Sequence, residues 1–274
     1  DAPSVQHRLK VIIDSKNLVL ENVYNQEPLS YDEIMEWCRS QAEFFKDYIC
    51  DVGTLLGAAA GQGKNILFEA QLGALRDIDY GIYPFTSSSN TIASYAPIGA
   101  GIPGCALDNV VGVMKAYSTC VGEGPFVAET AMGEAWNEKL RESGGEFGAA
   151  TGRPRRVGPF DAVASRYGIR CQKAQDIALT KLDVLGAFDK IPVITGYRLH
   201  GVLLDSFPTD SRLEEAEPVI EELPGWGCDI SGCRSWKDLP ENARKYVCTL
   251  EKLVDHPIYL VSTGAERDAY LLRE

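Results

Sequence analysis

The sequence has no long hydrophobic run, since no stretch approaches the roughly 20 apolar residues that a membrane-spanning helix requires. It also lacks an excess of basic residues, because 39 Asp and Glu outnumber 27 Lys and Arg and leave a net charge of −12. A surface that binds nucleic acid would have to be positively charged. We therefore expect neither a membrane nor a nucleic acid as a partner.

The sequence is also poor in paired cysteines and in histidines. Its eight cysteines are scattered without a CxxC pair, and none of the three histidines lies near Cys228 and Cys233, the two cysteines that are close in sequence. A zinc site is therefore not expected, and we assign no metal ligand within these residues. Free thiols fit a reducing compartment, so we expect a cytoplasmic protein.

What the sequence does contain is an alternation of helical and strand-like segments. With 45% hydrophobic and 24% charged residues, it can form a sizeable core. Residues 5–24 favour a helix, and Ser30 with Glu33 forms a capping-box pattern that opens a second helix ending near Gly57. Further segments follow in chain order: strands at 66–70, 110–118 and 177–183, helices at 136–142 and 160–170, a hairpin of 191–199 with 201–207, a helix opening at 239–240, and a strand at 258–261.

This pattern predicts an α/β fold with a doubly wound, mostly parallel sheet flanked by helices. No linker separates two halves, so we predict a single domain over residues 1–274, with a helical segment at 1–64 and a ligand-binding part at 65–274. In the hairpin, His200 should face solvent at the turn. The acidic residues from Glu214 to Glu222 are interpreted as a solvated face.

The segment from Gly57 to Asn65, GAAAGQGKN, resembles a phosphate-binding P-loop but departs from that pattern. Ala58 stands where the first glycine is required, and Asn65 stands where Ser or Thr follows the lysine. A P-loop also follows a strand and opens a helix, whereas this segment ends a helix. We interpret it as a turn from a helix to the predicted strand 66–70.

A loop rich in arginine and glycine spans Gly144 to Asp161 and reads GGEFGAATGRPRRVGPFD. Its arginines, at positions 153, 155 and 156, follow a run of small residues at 148–152. Glycine lets a ligand approach the backbone closely, and a guanidinium binds carboxylates and phosphates. In an acidic chain, this loop suggests a site for an anionic small molecule, and a basic surface turn is the alternative.

A long polar loop, Phe68 to Thr91, follows the predicted strand 66–70, and ligands bind at strand ends in open α/β sheets. Gln71 can donate and accept hydrogen bonds as a purine edge requires, and the hydroxyls at 86–89 could bind a phosphate. Ordinary turn chemistry is the alternative. Asp77 and Asp79 form a DxD pattern, which more often caps a turn than binds a metal.

Two further strand ends have polar residues suited to a base. The segment 177–183, IALTKLD, ends in Lys181 and Asp183. A carboxylate there could accept hydrogen bonds from N1–H and the 2-amino group of guanine, which adenine cannot match, or it could cap the next helix. Ser262 to Gly264, after the strand 258–261, offers backbone donors and room for a planar ligand.

Together these stretches resemble adenylosuccinate synthetase, the ligase that joins aspartate to IMP with hydrolysis of GTP. The matching segments, in the family's order, are ILFEAQLGALRDIDYGIYPFTSSSNT, VMKAYSTCVGEGPF, GEFGAATGRPRRVGPFDA, LTKLDVL, ELPGW and LVSTGAERD. They run from about Ile66 to Arg273, and the helices before Ile66 also fit. The resemblance implies a P-loop-GTPase-like synthetase fold that is incomplete in this chain.

The resemblance also implies ligand contacts for individual residues. The residues implied to contact IMP are Gln71, Thr86, Ser87, Val121 and Arg153. A mobile loop is implied to bind the carboxylates of aspartate, and its residues are Ala149, Ala150, Thr151, Gly152, Arg153 and Arg155. The residues implied to bind GTP are Arg155, Lys181, Leu182, Asp183, Ser262, Thr263 and Gly264, with Asp183 contacting guanine.

The chain departs from the family's pattern at several positions. AQLG stands where GAQG is frequent, which displaces Gln71 by one position, while Ala150 replaces a common Thr and Ala265 a common Pro. The family's phosphate-binding glycine loop, its catalytic Asp and His and its magnesium site have no counterpart in these 274 residues. We therefore assign no catalytic residue, expect Mg²⁺ to bind outside this chain, and expect the chain alone to be inactive.

The resemblance implies a homodimer that binds IMP, GTP and L-aspartate. In the implied reaction, the 6-oxygen of IMP attacks the γ-phosphate of GTP, and the amine of aspartate then displaces phosphate. One alternative is a non-catalytic protein that binds guanine nucleotides or IMP. A truncation product without a role of its own is another.

Overall fold

The computed structural model describes residues 2–273 and divides the chain into two compact units, Asp1–Asn65 and Ile66–Glu274. The first unit is helical, with α1 over Ala2–Asn22, α2 over Tyr31–Phe45 and α3 over Val52–Gly61. The predicted helix at 5–24 is confirmed, and the predicted cap at Ser30 is present, because its hydroxyl accepts a hydrogen bond from the backbone N–H of Glu33 at 3.4 Å.

The second predicted helix is wrong in its extent, because it breaks before Gly57. Helix α2 ends at Phe45, a 3₁₀ turn follows at Lys46–Tyr48, and α3 starts after Asp51. Asp51 ends the break by capping α3, since its carboxylate accepts from the backbone N–H of Thr54 at 3.1 Å and from the Thr54 hydroxyl at 2.7 Å. An N-cap of this kind offers the chain an alternative to continuing one helix.

The second unit is a mixed α/β structure. Its helices are α4 (Ala96–Gly99), α5 (Val127–Thr130), α6 (Glu134–Gly144), α7 (Ala162–Gln172) and α8 (Glu241–Val254). Its strands are β1 (Val111–Lys115), β2 (Ser118–Cys120), β3 (Arg156–Gly158), β4 (Phe160–Asp161), β5 (Asp176–Thr180), β6 (Lys190–Leu199), β7 (Val202–Leu203), β8 (Glu217–Pro224), β9 (Ile258–Ser262) and β10 (Tyr270–Leu272).

The main sheet has the strand order β1-β5-β9-β10. Strands β1, β5 and β9 are parallel, whereas β10 runs antiparallel to β9. A second sheet pairs β6 with β4 in parallel and with β7 and β8 in antiparallel orientation, and β2 pairs with β3. The predicted α/β class, with parallel strands and flanking helices, is confirmed.

The core of this unit lies between the main sheet and its helices. It contains apolar residues of β5 and β9 together with one face of α8, the residues Ile177, Leu179, Val261, Val247 and Leu250, all buried. The apolar spacing predicted after Leu239–Pro240 therefore forms the buried face of α8, which spans Glu241–Val254. This packing fixes the carboxyl ends of β1, β5 and β9 relative to one another.

The hairpin prediction is also confirmed. His200 and Gly201 connect β6 to β7 with positive φ values of 50° and 83°, and the His200 side chain is 76% exposed. The second strand is shorter than predicted, since β7 spans only Val202–Leu203. The acidic stretch after Glu214 includes β8, whose backbone pairs with β6 along its length.

The strand predicted at 66–70 is wrong. These residues form no strand, and Leu67 is 94% exposed. An apolar run becomes a strand only where a neighbouring backbone pairs with it, and none of the described residues does so here. The segment 57–65 does end a helix, α3, and Gly63 turns the chain with a φ of 70°.

Candidate functional site

The carboxyl ends of three neighbouring strands form one edge of the main sheet. Lys115 at the end of β1 is in register with Thr180 at the end of β5, and Leu179 is in register with Val261 of β9. The segments that follow β5 and β9, Lys181–Asp183 and Ser262–Gly264, therefore lie at the same edge. Parallel strands bring their carboxyl ends together, which is why ligands bind there.

Asp183 starts a 3₁₀ helix after β5 but does not cap it with its side chain. Its Oδ1 atom is buried and accepts no hydrogen bond within residues 2–273. Burial raises the pKa of Asp183, the nearby charge of Asp229 raises it further, and Lys181 opposes both effects. Because a buried acceptor without a donor is costly, this atom is suited to a donor from a ligand.

Lys181 is held in an unusual backbone conformation beside Asp183. Its φ is 60°, in the left-handed region that non-glycine residues seldom adopt, and its Nζ donates to the carbonyl oxygen of Gly144 at 2.6 Å. Leu182, the residue between them, is fully buried. The core thus fixes the backbone at Leu182, while Lys181 reaches toward the end of α6.

The segment Ser262–Gly264 is fixed from two sides. Thr263 is buried, its hydroxyl donates to the carbonyl oxygen of Cys233 at 3.1 Å, and its N–H donates to that of Ala269 at 2.8 Å. A Cβ at Gly264 would lie 3.2 Å from that of Ala269 and 3.7 Å from that of Ser231. Thr263 therefore stabilises this segment, whereas Ser262 and Gly264 are partly exposed.

A fully buried carboxylate, Glu146, lies near the start of the arginine loop and contacts residues of this edge of the sheet. Its Oε1 accepts from Lys115 Nζ at 2.9 Å and from the Tyr117 hydroxyl at 2.6 Å, and its Oε2 accepts from Arg155 Nη1 at 2.9 Å. Lys181 Nζ lies 3.6 Å from Oε1. Burial alone raises the pKa of Glu146, but the hydrogen bonds from Tyr117, Lys115 and Arg155 and the charge of Lys115 lower it to about 2.

The arginine loop is closed at its base and exposed at its tip. Phe147 pairs with Pro154, and the N–H of Gly148 donates to the carbonyl oxygen of Arg153 at 2.8 Å. The residues at 149–153 are exposed, and Gly152 has a φ of 64°. The guanidinium of Arg153 makes no hydrogen bond or ion pair within the described part of the chain, so its donors are free for an anion.

Arg156 differs from its two neighbours, because its guanidinium is already paired. It lies 2.6 Å from Oε2 of Glu129 and donates to the carbonyl oxygens of Gly122 at 3.3 Å and Gly124 at 2.8 Å. It therefore holds the loop after Val121 against β3. Two of the loop's three arginines, Arg153 and Arg155, keep donors that can reach a ligand.

A second group of predicted site residues is assembled by Arg76. Its Nη1 donates to the carbonyl oxygens of Phe85 at 2.5 Å and Glu123 at 3.0 Å, and its Nη2 donates to that of Val121 at 3.1 Å. The backbone N–H of Ser87 donates to the carbonyl oxygen of Arg76 at 2.8 Å. Arg76 thereby brings the Thr86–Ser87 segment and the exposed Val121 together.

Asp77 stabilises the polar loop that follows it. It is fully buried and accepts from the backbone N–H groups of Asp79 at 2.9 Å, Tyr80 at 3.0 Å and Thr91 at 2.5 Å. Burial raises its pKa, but these backbone bonds together lower it below the usual value. The interpretation of the DxD pattern as turn chemistry is confirmed. Gln71 is exposed in this loop.

Neither a metal cluster nor a membrane span is found within the described residues. No three His, Cys, Asp or Glu side chains between residues 2 and 273 are grouped so that they could hold a metal ion. No helix in this part of the chain is long and apolar enough to cross a membrane.

Comparison with known proteins matches the adenylosuccinate synthetase family model over residues 1–271. The chain belongs to the adenylosuccinate synthetase family. It is 46% identical over 273 residues to the adenylosuccinate synthetase of Trichlorobacter lovleyi, an alignment that covers 99% of this chain and 63% of that relative. It is 44% identical over 266 residues to the enzyme of Geobacter sulfurreducens, with 97% and 61% covered.

A solved structure of fully ligated adenylosuccinate synthetase from Plasmodium falciparum is also similar. It superposes with a TM-score of 0.90 at 32% identity, and the match covers 100% of this chain and 64% of that one. The chain thus spans about three fifths of the length of the curated adenylosuccinate synthetases it matches. The family is a family of ligases, and the predicted resemblance is confirmed.

From the sequence alone, no role was predicted for Glu146, Lys115, Tyr117 or Arg76. One signal was available, because Glu146 is one of two acidic residues in the arginine loop, where three arginines need a counter-charge. Lys115 lies within the strand predicted at 110–118 and ends the shorter β1 of the structure. The partners of these residues, which lie up to 47 positions apart as Arg76 and Glu123 do, could not be read from local pattern.

Proposed function

We propose that this chain contributes the IMP-, aspartate- and guanine-binding part of an adenylosuccinate synthetase. The reaction would ligate L-aspartate to IMP with hydrolysis of GTP, in the biosynthesis of AMP. Membership of the family supports this reaction, as does the likeness to the fully ligated adenylosuccinate synthetase of Plasmodium falciparum. Because the chain spans only part of the length of its relatives, we propose this reaction for the whole enzyme and not for the chain alone.

The proposed guanine site depends on one observation. The buried Oδ1 of Asp183 accepts no hydrogen bond from any of the described residues. Guanine presents two adjacent donors, N1–H and the 2-amino group, whereas adenine presents an acceptor at N1. A carboxylate can accept both guanine donors at once. Ser262 and Gly264, at the end of the neighbouring parallel strand, would lie beside the base.

The proposed binding sites for anions lie in the arginine loop. The guanidinium of Arg153 has no partner among residues 2–273, and the Arg155 side chain is 34% exposed while Glu146 accepts from one of its nitrogens. A guanidinium fork matches the carboxylates of aspartate and the phosphates of a nucleotide. The exposed tip at 149–152 would close on aspartate, as Gly152 permits.

The proposed IMP site is formed by the Thr86–Ser87 segment and Val121, which Arg76 holds together. Thr86 and Ser87 would offer their hydroxyls to the phosphate of IMP, and Val121 would contact the nucleoside. Gln71, exposed nearby in sequence, would contact the base. Arg153 would reach this ligand from the arginine loop.

Binding and orientation are the contributions that these residues can make to the reaction. The described residues do not fit the Mg²⁺ that the family resemblance implies, because no acidic cluster within them could hold it. The family resemblance assigns the catalytic Asp, the catalytic His and the phosphate-binding loop to none of these 274 positions. We therefore propose that the 274-residue chain alone forms no adenylosuccinate, and we keep the homodimer and the cytoplasmic location as predictions.

Calorimetric titration of the purified chain with GTP, GDP, ATP and IMP tests the proposal. We expect the guanine nucleotides and IMP to bind and ATP not to bind. Asp183→Asn should weaken GDP binding about tenfold or more, since it removes a charge-assisted acceptor. Asp189→Asn, an exposed carboxylate whose side chain makes no hydrogen bond in the described structure, is the matched control and should bind GDP normally.

Two results would contradict the proposal. One is a folded chain that binds none of these nucleotides, and the other is GDP binding that Asp183→Asn leaves unchanged. Formation of adenylosuccinate from IMP, GTP and aspartate by the chain alone would contradict its proposed inactivity but not its ligand specificity. Nucleotide binding by a longer natural protein that has no ligase activity would favour a non-catalytic guanine-nucleotide or IMP-binding protein.

A further inference from the structure

Glu146 is anchored by its backbone to two different parts of the second unit. Its N–H donates to the carbonyl oxygen of Arg141 in α6 at 2.9 Å, and its carbonyl oxygen accepts from the N–H of Arg155 at 2.9 Å. Gly145 makes the tight connection from α6 possible, with a φ of 59°. The position of the Glu146 side chain is therefore fixed before any ligand binds.

The carboxylate of Glu146 compensates three cations that come from three separate segments. Lys115 ends β1, Lys181 follows β5, and Arg155 lies at the base of the arginine loop; their nitrogens are 2.9, 3.6 and 2.9 Å from the Glu146 oxygens. Without this carboxylate, three like charges would face one another in a partly buried space. Like charges at this range repel strongly when little water separates them.

The same cations retain donors that are not used by Glu146. The side chains of Arg155 and Lys181 are 34% and 38% exposed, whereas Glu146 is wholly shielded. Arg155 therefore has one nitrogen hydrogen-bonded to the buried carboxylate, Lys181 is ion-paired with it at 3.6 Å, and both side chains have another side open to solvent. This is the arrangement by which a shielded counter-ion orients a binding group without contacting the ligand.

We propose that Glu146 is a positioning residue that sets Arg155 and Lys181 for their ligands and joins the arginine loop to the guanine-binding edge of the sheet. The identity of those ligands rests on the function proposed above, but the positioning itself does not. The carboxylate is wholly buried, so its effect on a ligand is exerted through the two cations. Loss of the charge should loosen the loop and the end of β5 together.

Hydrogen–deuterium exchange of the chain without ligand tests the positioning. In Glu146→Gln, we expect the amides of Gly148, Gly152 and Arg155 to exchange about tenfold faster or more, because a charged hydrogen-bond network is lost. The amides of β6 and β8 should remain within about twofold of the wild type. Glu241→Gln is the matched control, since it breaks an exposed pair with Lys245 at 2.6 Å in α8 and should leave the loop unchanged.

Titration with GDP provides the second measurement. Glu146→Gln should weaken GDP binding about tenfold or more, and Glu146→Asp, which keeps the charge on a shorter side chain, should lie between Glu146→Gln and the wild type. If Glu146→Gln does not fold, Glu146→Asp is compared by exchange in the same way. Its loop amides should then exchange faster than those of the wild type, with β6 and β8 unchanged.

Unchanged exchange in the arginine loop of both variants would overturn the proposal. So would a uniform increase across the loop, β6 and β8, because that result would show a general loss of stability. If the wild-type chain binds no GDP, the proposed function fails, and the exchange measurement alone decides the role of Glu146. If the wild type binds GDP and both variants bind it equally well, the positioning role fails and the proposed function stands.

Discussion

Nη2 of Arg76 lies 3.1 Å from the carbonyl oxygen of Val121, and this bond joins two loops that are 45 positions apart in the sequence. The other guanidinium nitrogen, Nη1, reaches Phe85 and Glu123. One side chain thus gathers three carbonyl oxygens. Only a planar fork of donors can hold them in this geometry, because lysine has a single nitrogen at the end of a flexible stem.

Arg76→Lys should therefore weaken IMP binding. The substitution keeps the charge but cannot hold the Thr86–Ser87 segment and Val121 at the same time, and we expect about a tenfold or larger loss of affinity. Arg212→Lys is the control, because Arg212 is an exposed arginine paired with Asp210 at 2.9 Å. Calorimetric titration with IMP measures both, and equal affinity in the two variants would exclude a role for Arg76 in assembling this site.

Asp183→Asn should change the base preference as well as reduce the affinity for guanine. An asparagine presents one acceptor and one donor in place of two acceptor oxygens. Xanthine, which has a carbonyl oxygen where guanine has the 2-amino group, matches this arrangement. We expect Asp183→Asn to bind xanthosine diphosphate more tightly than GDP, and the wild type to show the opposite order.

Competition between the two diphosphates in one titration measures that order directly. Asp189→Asn should retain the preference of the wild type for GDP. If the order of the two nucleotides is the same in Asp183→Asn as in the wild type, the carboxylate does not contact the base edge. The charge of Asp183 would then act on nucleotide binding only at a distance.

Gly225, in the ELPGW segment, is fixed by backbone packing. A Cβ at this position would overlap the carbonyl oxygen of Phe188, and the N–H of Gly225 donates to that of Asp189 at 2.7 Å. Gly225→Ala must therefore move the backbone, and we expect a loss of about 3 kcal/mol in the free energy of unfolding. Gly232→Ala is the control, because no heavy atom lies within 4 Å of a Cβ there.

Thermal unfolding followed by circular dichroism separates the two glycine variants. For a domain of this size, 1 kcal/mol corresponds to about 2–4 °C in Tm, so Gly225→Ala should melt about 6–12 °C below the wild type. Gly232→Ala should stay within about 2 °C of it, because a residue that fits without strain changes stability little. A similar Tm for both variants would mean that the ELPGW segment adjusts without strain.

The fold class and the strand ends were predictable because their signals are local. The apolar runs at β5 and β9 and the periodicity of α8 are visible within single segments, and parallel strands then place Asp183 and Ser262 at one edge. The hairpin at His200 and Gly201 was predictable for the same reason, since both strands and their turn are contiguous.

The errors arose where a partner or a cap decides the structure. Residues 66–70 have a strand-like composition but lack a pairing neighbour, and Asp51 divides an apolar helical pattern that periodicity extends to Gly57. Glu146 was missed because its importance comes from Lys115, Arg155 and Lys181, which converge only in the folded chain. A single acidic residue in a loop gives no sign of burial.

The acid stability of the protein should depend on Glu146, whose pKa is about 2 in the folded chain against an ordinary value of 4.5. Folding therefore favours its charged form, and this contribution is complete above about pH 4.5 and is lost as the pH falls toward 2. Since one pKa unit corresponds to about 1.4 kcal/mol, the contribution is about 3 kcal/mol. Glu146→Gln has no group to titrate at this position, so it should lack this part of the pH dependence.

Urea unfolding at a series of pH values from 7 to 3 measures the effect. The difference in the free energy of unfolding between the wild type and Glu146→Gln should be largest at neutral pH and should shrink steadily below about pH 4.5, because protonation then removes from the wild type the charge that Lys115, Arg155 and Lys181 share. Glu134→Gln, whose carboxylate is 74% exposed, should parallel the wild type throughout. A constant difference between the wild type and Glu146→Gln over this pH range would mean that burial cancels the effect of the three cations and that Glu146 keeps an ordinary pKa.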